Sequence, residues 1–375
     1  MNAVDLPDYR FPTDYPSILN RINQIDPLRY ASSRNYIDGA VTLLSPYISR
    51  GVISTRMVMQ NILQRDVSLS QTEKLLQELA WRDYWQQVWI TKGDAINDDL
   101  KHPQTGVLNH QVPENLVNAQ TGIEAIDQGI NKLYETGYMH NHLRMYVAAL
   151  ACNQAGSHWF QPAKWLYYHL LDADWASNAL SWQWVAGSNA NKKYIANQQN
   201  INKYCHSQQT DSFLDVSYEQ LAQLAVPTEL QKTIVPELST VIPANSTVTI
   251  DPQKPTLIYN FYNLDPAWHA ADEFNRVLLL EPEHFAQYPV SSKTIDFVLK
   301  LASNINGIQV FTGPFGHLQQ QLSGSQIIYK EHPLNKHYQG IEEQRDWMFP
   351  VSGYYPSFFS YWKKCKKLLS QKVKN

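Results

Sequence analysis

Two carboxylates two residues apart, Asp172 and Asp174, are followed four residues later by an amide, Asn178, and the same stretch closes on Trp182 and Trp184. Upstream, His140, Asn141 and Arg144 head an apolar run from Met145 to Leu150. Acids and amides interleaved with large aromatics suit a flat ligand with polar edges. Rings pack against the ligand body and polar groups fix its rim. Other chemistry is open to the same residues. A D-x-D pair can bind a divalent cation or cap a helix; with no phosphate loop or third carboxylate nearby in the sequence, metal is the weaker reading. Asn141 can likewise be a plain helix cap.

A second group is Glu78, Trp81, Arg82 and Trp85. The periodicity predicts a helix over 71–90, and these four fall on one face of it. A surface Glu–Arg pair is worth about 0.3–0.5 kcal/mol, but two tryptophans on that face argue against full solvent exposure. A third group lies between Gly39 and Gly51, where Thr42 and Ser45 stand ahead of a helix that Pro46 can open. Such a helix start suits a diphosphate. The alternative is that Ser45 is only an N-cap.

The elements that must position these groups centre on residues 121–184, which open with a helix marked by Ile123, Ile126, Ile130, Leu133 and Tyr134. Residues 1–30 are polar and proline-punctuated, with one short helix around Ile18, Leu19 and Ile22. Residues 91–120 read as a polar loop segment. Lys192 and Lys193 form either a small basic edge or a solvated face. From 206 to 255 the chain turns polar, with Pro227, Pro236, Pro243, Pro252 and Pro255, and reads as one short helix and an extended linker. Beyond 256, TLIYNFY, RVLLLEP, IQVFTGP and QIIYKE read as strands, with SKTIDFVLKLAS and FGHLQQQL as helices. That alternation predicts a small parallel α/β layer without a phosphate loop. The tail, YWKKCKKLLSQKVK, is basic and helical; it either touches nucleic-acid phosphates or is a solvated end.

Composition narrows the classes. The 375-residue chain is long enough for about two domains with sizeable cores. A formal charge of −3 gives no global nucleic-acid signature, so any such contact must be local. Cys152, Cys205 and Cys365 lie far apart, which argues against a disulfide framework, a zinc site or a four-cysteine iron–sulfur cluster. The first residues carry no basic-then-apolar leader, and no apolar run approaches eighteen residues. The expectation is a cytosolic protein with no membrane span and no metal.

TGYMHNHLRM and LLDADWASNALSWQW, together with DGAVTLLSPYISRGVIS and LQELAWRDYW, resemble the flavin-binding core of the photolyase/cryptochrome family. The four motifs occur in the family's order over roughly residues 25–205. The resemblance implies a mainly α fold: an all-helical FAD-binding domain followed by a smaller, Rossmann-like α/β domain. The expected division is 1–210 for the FAD domain, 211–255 for a linker and 256–375 for the α/β domain with its basic tail.

Site roles follow from the resemblance. Thr42, Leu43, Leu44 and Ser45 match the segment that holds the flavin pyrophosphate, although Val41-Thr42 replaces Thr-Ser and Leu43 stands where many members have arginine. Glu78 and Trp81 match the residues that meet a pyrimidine dimer, and Arg82 one near the flavin. Asn141 matches the asparagine that meets both flavin and substrate, while His142 replaces a common arginine. Asp172 and Asp174 match the acidic pair of the flavin-binding motif, of which the second accepts from the flavin edge, and Asn178 the residue facing N5. Trp159 and Trp182 match electron-relay positions, with Gly106 where a third member usually stands; Trp184 falls with the substrate- or DNA-facing group. The implied function is blue-light-driven repair of cyclobutane pyrimidine dimers in damaged DNA by reduced FAD, a deoxyribodipyrimidine photolyase activity. The alternative is a cryptochrome-like photoreceptor without repair. A light-independent flavin oxidoreductase or a nucleic-acid-binding module stands as a further rival. Whether a second, antenna chromophore binds is not legible, nor is the oligomeric state.

Overall fold

The computed structural model describes residues 6–244, 247–322 and 324–372. The chain forms two compact units from interleaved segments. One comprises 1–11, 29–41 and 94–238; the other comprises 12–28, 42–93 and 239–375. The boundaries expected at 210 and 255 follow the change from helix to strand along the chain. The packing units cut across it, because the Leu69–Lys92 helix shares a unit with the α/β layer.

The first unit is helical. Its Glu124–Thr136 helix buries Ile126, Ile130 and Leu133, places Glu124 and Asp127 in the first turn, and stops at Gly137 in the left-handed conformation (φ 74°). The Asn141–Ala149 helix continues into a wide π-helical turn, Leu150–Gln154. The Trp175–Ala186 helix packs against both Asn141–Ala149 and Phe160–His169. It buries residues on nearly every side, including Trp175, Ala179, Leu180, Trp182 and Val185. The polar stretches hold more structure than their composition suggests. Val112–Pro113 pairs antiparallel with Thr233–Ile234, and short helices cover Glu114–Val117, Tyr218–Leu221 and Thr228–Gln231. Single anchors such as Leu221 (2% exposed) and Leu230 (0%) hold these segments, and an isolated leucine makes no periodic signal.

The second unit contains a five-stranded, all-parallel sheet. Its strands are β1 (Thr256–Tyr259), β2 (Asn275–Leu280), β3 (Ile308–Thr312), β4 (Ile327–Lys330) and β5 (Ile341–Glu343), in the order β3-β2-β1-β4-β5. Every residue of β1 is buried, as a central parallel strand covered on both faces requires. The first four strands and the Ser292–Ala302 and Phe315–Gln321 helices match the sequence reading. The fifth strand was not expected; it is an edge strand in which Ile341 and Glu342 are exposed, so it lacks an apolar pattern. The Leu69–Lys92 helix starts with a reciprocal Ser68–Gln71 capping box and packs against the C-terminal helix, Phe358–Lys372. The 42–54 segment crosses the chain at Tyr262. A Cβ on Gly51, whose φ is 63°, would lie 2.4 Å from the Tyr262 carbonyl oxygen, so only glycine fits there. Among the described residues, no helix is long and apolar enough to cross a membrane.

Candidate functional site

The expected site residues fall in both units. In the helical unit, Arg144 joins two of the motifs. Its Nη2 donates to both carboxylate oxygens of Asp172, at 3.1 and 3.0 Å, and its Nε donates to the Met139 carbonyl at 2.8 Å. The Asp172 carboxylate is nearly sealed from solvent, with 5% of its side chain exposed. The same guanidinium lies over the Tyr138 ring, 5.4 Å from its centroid, while Tyr9 and Phe11 pack against that ring. The sequence reading gave Arg144 no role. A charge pair spanning 28 residues has no local signature, although an arginine on a predicted buried face implies a buried partner.

Asp174 is the N-cap of the Trp175–Ala186 helix, and its Oδ1 accepts from the Ser177 N–H at 2.8 Å. The capping alternative is therefore realised for this aspartate, and a ligand-edge role must share its carboxylate with the cap. Asn178 lies one turn further and is half-buried. Its Nδ2 donates to the Ala163 carbonyl at 2.9 Å, so its Oδ1 is the atom turned the other way. Beside it, the Ser177 hydroxyl oxygen is buried without a hydrogen-bond partner among the described residues, as is His142 Nε2.

Asn141 is exposed and begins its helix. It is not the cap: His140 holds that position, accepting the His142 N–H on Nδ1 at 3.1 Å. Burial, aided by His142 and Arg144, brings His140 down to about 4, so this ring is neutral at pH 7. His142, brought down to about 4 by burial and by Arg34, packs against the rings of Tyr146 and Tyr204.

Trp159 is fully buried and donates its indole N–H to Asp99 at 2.9 Å. Trp182 is also buried, at 2% exposure. Trp184 is 40% exposed, beside the Tyr194 ring at 5.9 Å. Lys193 donates to the Thr105 carbonyl at 2.7 Å, which ties part of the candidate basic edge to the fold.

In the second unit, Leu43 has φ 52°, a left-handed conformation that costs a leucine about 1–3 kcal/mol. It turns the chain into the short Ser45–Ser49 helix. The N-cap there is Leu44, with no side-chain cap, and Ser45 is the first helical residue. Thr42 Oγ1 accepts from the Leu44 N–H at 3.4 Å. Arg50, fully buried, stacks on Phe261 with its guanidinium carbon 3.5 Å from the ring centroid.

On the Leu69–Lys92 helix, Glu78 pairs with Lys74 at 3.1 Å and keeps about a third of its side chain exposed. The Trp81 ring lies flat on Phe358, with centroids 3.8 Å apart and planes 10° apart. One ring face is thus covered by the C-terminal helix. Asp83, one residue beyond Arg82, accepts from Thr55 Oγ1 and from the Met348 N–H, and burial raises it to about 6.

These residues fit a flavin. A ligand edge needs hydrogen-bonding groups not already consumed by the fold. Asn178 Oδ1 and the orphaned Ser177 Oγ supply them in the helical unit.

Comparison with known proteins agrees. Residues 75–225 match the family described as the FAD binding domain of DNA photolyase. The chain is 30% identical over 146 residues to a deoxyribodipyrimidine photo-lyase of Alkalihalophilus pseudofirmus, covering 38% of this chain and 30% of that protein. It is 32% identical over 171 residues to a cryptochrome DASH of Synechocystis sp., covering 42% of this chain and 34% of that one. Among solved structures, a Synechocystis sp. cryptochrome is 26% identical with a TM-score of 0.48, over 52% of this chain and 44% of that one. The chain spans about a third of the length of the curated relatives it matches. Residues 75–225 are thus similar to the FAD-binding domain of the photolyase/cryptochrome family.

Proposed function

We propose that this protein is a deoxyribodipyrimidine photolyase that uses FAD to repair cyclobutane pyrimidine dimers in damaged DNA under blue light. Bound FAD supplies the chemistry, a light-driven electron lent to the dimer and recovered after it splits. The observation that carries the reading is the orientation of Asn178. With its amide nitrogen committed to Ala163, it offers an oxygen, the acceptor that the N–H of a fully reduced flavin needs. Asp172 and Asp174 hold polar positions at the flavin edge, the first fixed by Arg144 and the second by its cap. Thr42, Leu43, Leu44 and Ser45 hold the pyrophosphate, and Arg82 lies near the flavin. Asn141 meets flavin and dimer, and Trp159 and Trp182 pass electrons to the flavin. Trp81 and Trp184 give damaged bases flat surfaces, and Glu78 meets the dimer carbonyls. The dimer must leave the helical stack to reach such groups, and a weakened duplex at the lesion lowers that cost. The division of the chain at 210 and 255 and a cytosolic location belong to the same proposal.

Two observations favour the second reading, a cryptochrome-like photoreceptor. Glu78 already has an ammonium partner in Lys74, and Trp81 already has Phe358 on one face. Two substitutions separate the readings. In a repair enzyme, Trp81→Ala weakens binding to dimer-containing oligonucleotides and Glu78→Ala lowers repair per absorbed photon, with FAD retained in both. If both variants bind damaged and undamaged DNA as the wild type does, the receptor reading replaces repair.

A further inference from the structure

The last 29 residues carry six lysines and no aspartate or glutamate, on a chain whose formal charge is −3. Four of these lysines, Lys363, Lys364, Lys366 and Lys367, are exposed on the Phe358–Lys372 helix. Its opposite face is buried: Phe358 (2%), Tyr361 (0%), Trp362 (4%), Cys365 (0%) and Leu369 (0%). Phe359 stands out on the exposed side at 68% exposure, one turn before Lys363. This helix lies outside the family match, which ends at residue 225.

We infer that the outer face of this helix is a binding surface for single-stranded DNA. The apolar face is spent on packing against the Leu69–Lys92 helix, so Phe359 is the one large apolar side chain left exposed among the described residues of this helix, too little for stable insertion into a lipid surface. What remains exposed is a cationic face with one aromatic ring, Phe359, whose edge-to-face contact with Phe358 leaves it 68% exposed. That pairing of features suits a strand whose phosphates meet the lysines while an unstacked base lies on the ring. Lys363 to Lys367 spans about 6 Å of helix axis at 1.5 Å per residue, which concentrates the charge on a length comparable to one or two nucleotides. Lys366 shares its charge with Glu73, at 2.6 Å, so Lys363, Lys364 and Lys367 carry most of the free field. Phe358 connects this face to the proposed repair site, since its ring is the one stacked on Trp81. The inference extends the DNA-directed reading above and rests on it for the choice of polyanion.

The test uses the full chain in the dark with an undamaged oligothymidylate, which separates it from any failure of repair. Fluorescence anisotropy over a salt series gives the slope of log K against log salt. Each phosphate contact in a single strand contributes about 0.7 to that slope. The triple variant Lys363→Gln, Lys364→Gln, Lys367→Gln is expected to flatten it by about 1, the share of one or two phosphates. Phe359→Ala is expected to weaken binding about 5- to 150-fold with the slope unchanged, since a stacked base is worth about 1–3 kcal/mol. All four positions are exposed, so the fold is retained. An unaltered slope in the triple variant, or unaltered affinity in Phe359→Ala, overturns the inference. Loss of binding to phosphatidylserine vesicles with oligothymidylate binding intact does so as well, and identifies a membrane in its place.

Discussion

The Arg144 guanidinium grips the Asp172 carboxylate at 3.0 and 3.1 Å, tying the head of the Asn141–Ala149 helix to the turn that leads into Trp175–Ala186. A charge-assisted contact of this kind is about twice as strong as a neutral hydrogen bond. The segment that presents Asp174 and Asn178 is thereby held in place before any ligand arrives. Asp172→Asn leaves a largely buried guanidinium facing a neutral amide. Breaking one side of a buried pair costs about 3–5 kcal/mol, and the partial exposure of Arg144 brings the expected loss to about 2–3 kcal/mol. Urea unfolding of the variant at pH 7 measures it.

Asn178→Asp tests the amide itself. A carboxylate cannot donate to the Ala163 carbonyl, so it forfeits that bond and sets two acceptors facing one another. The expected loss is about 2 kcal/mol of folding stability. Urea unfolding of the variant at pH 7 gives the value.

Acid should act on the two units with opposite signs. His140 has a folded pKa of about 4, below its ordinary 6.5, because burial and then His142 and Arg144 oppose the charge. It binds a proton more weakly when folded. Its contribution to stability is therefore lost as pH falls from 6.5 toward 4, by up to about 3 kcal/mol. Asp83 is raised by burial from 3.8 to about 6. It binds a proton more tightly when folded, so its contribution is present in acid and lost as pH rises through 6. Between pH 4 and 6, the stability of the wild type relative to His140→Asn should rise with pH, and relative to Asp83→Asn it should fall. Urea unfolding at four pH values decides both signs.

The sequence disclosed these elements unevenly. Strands β1 to β4 and the long helices were legible because burial imposes a period on them. The fifth strand was not, because Ile341 and Glu342 face solvent. Asp172, Asp174 and Asn178 were legible as a group because their spacing puts them at one helix start. Their separate employments were not. That Asp172 serves Arg144, that Asp174 caps its own helix, and that Asn178 spends its nitrogen on Ala163 are facts of tertiary packing. Trp81 read as a ring unlikely to be fully exposed, and only the fold shows that Phe358, 277 positions later, is what covers it.

Trp159 and Trp182 are both buried, and phenylalanine fills their space with a ring much harder to oxidise. Trp182→Phe and Trp159→Phe should each retain FAD and slow its photoreduction by external thiols several-fold or more. The decay of the oxidised flavin band under continuous blue light reads the rate. Unchanged rates in both variants would mean that electrons reach the flavin by another route.

Repair itself is the most direct test of the proposed function. FAD-loaded protein, reduced beforehand with dithionite, is mixed with an oligonucleotide carrying one thymine dimer and exposed to blue light. The account predicts restoration of the two thymines in the light and none in the dark, read by chromatography of the oligonucleotide. Protein that holds FAD, becomes reduced, and leaves the dimer intact in both single- and double-stranded substrates would contradict it.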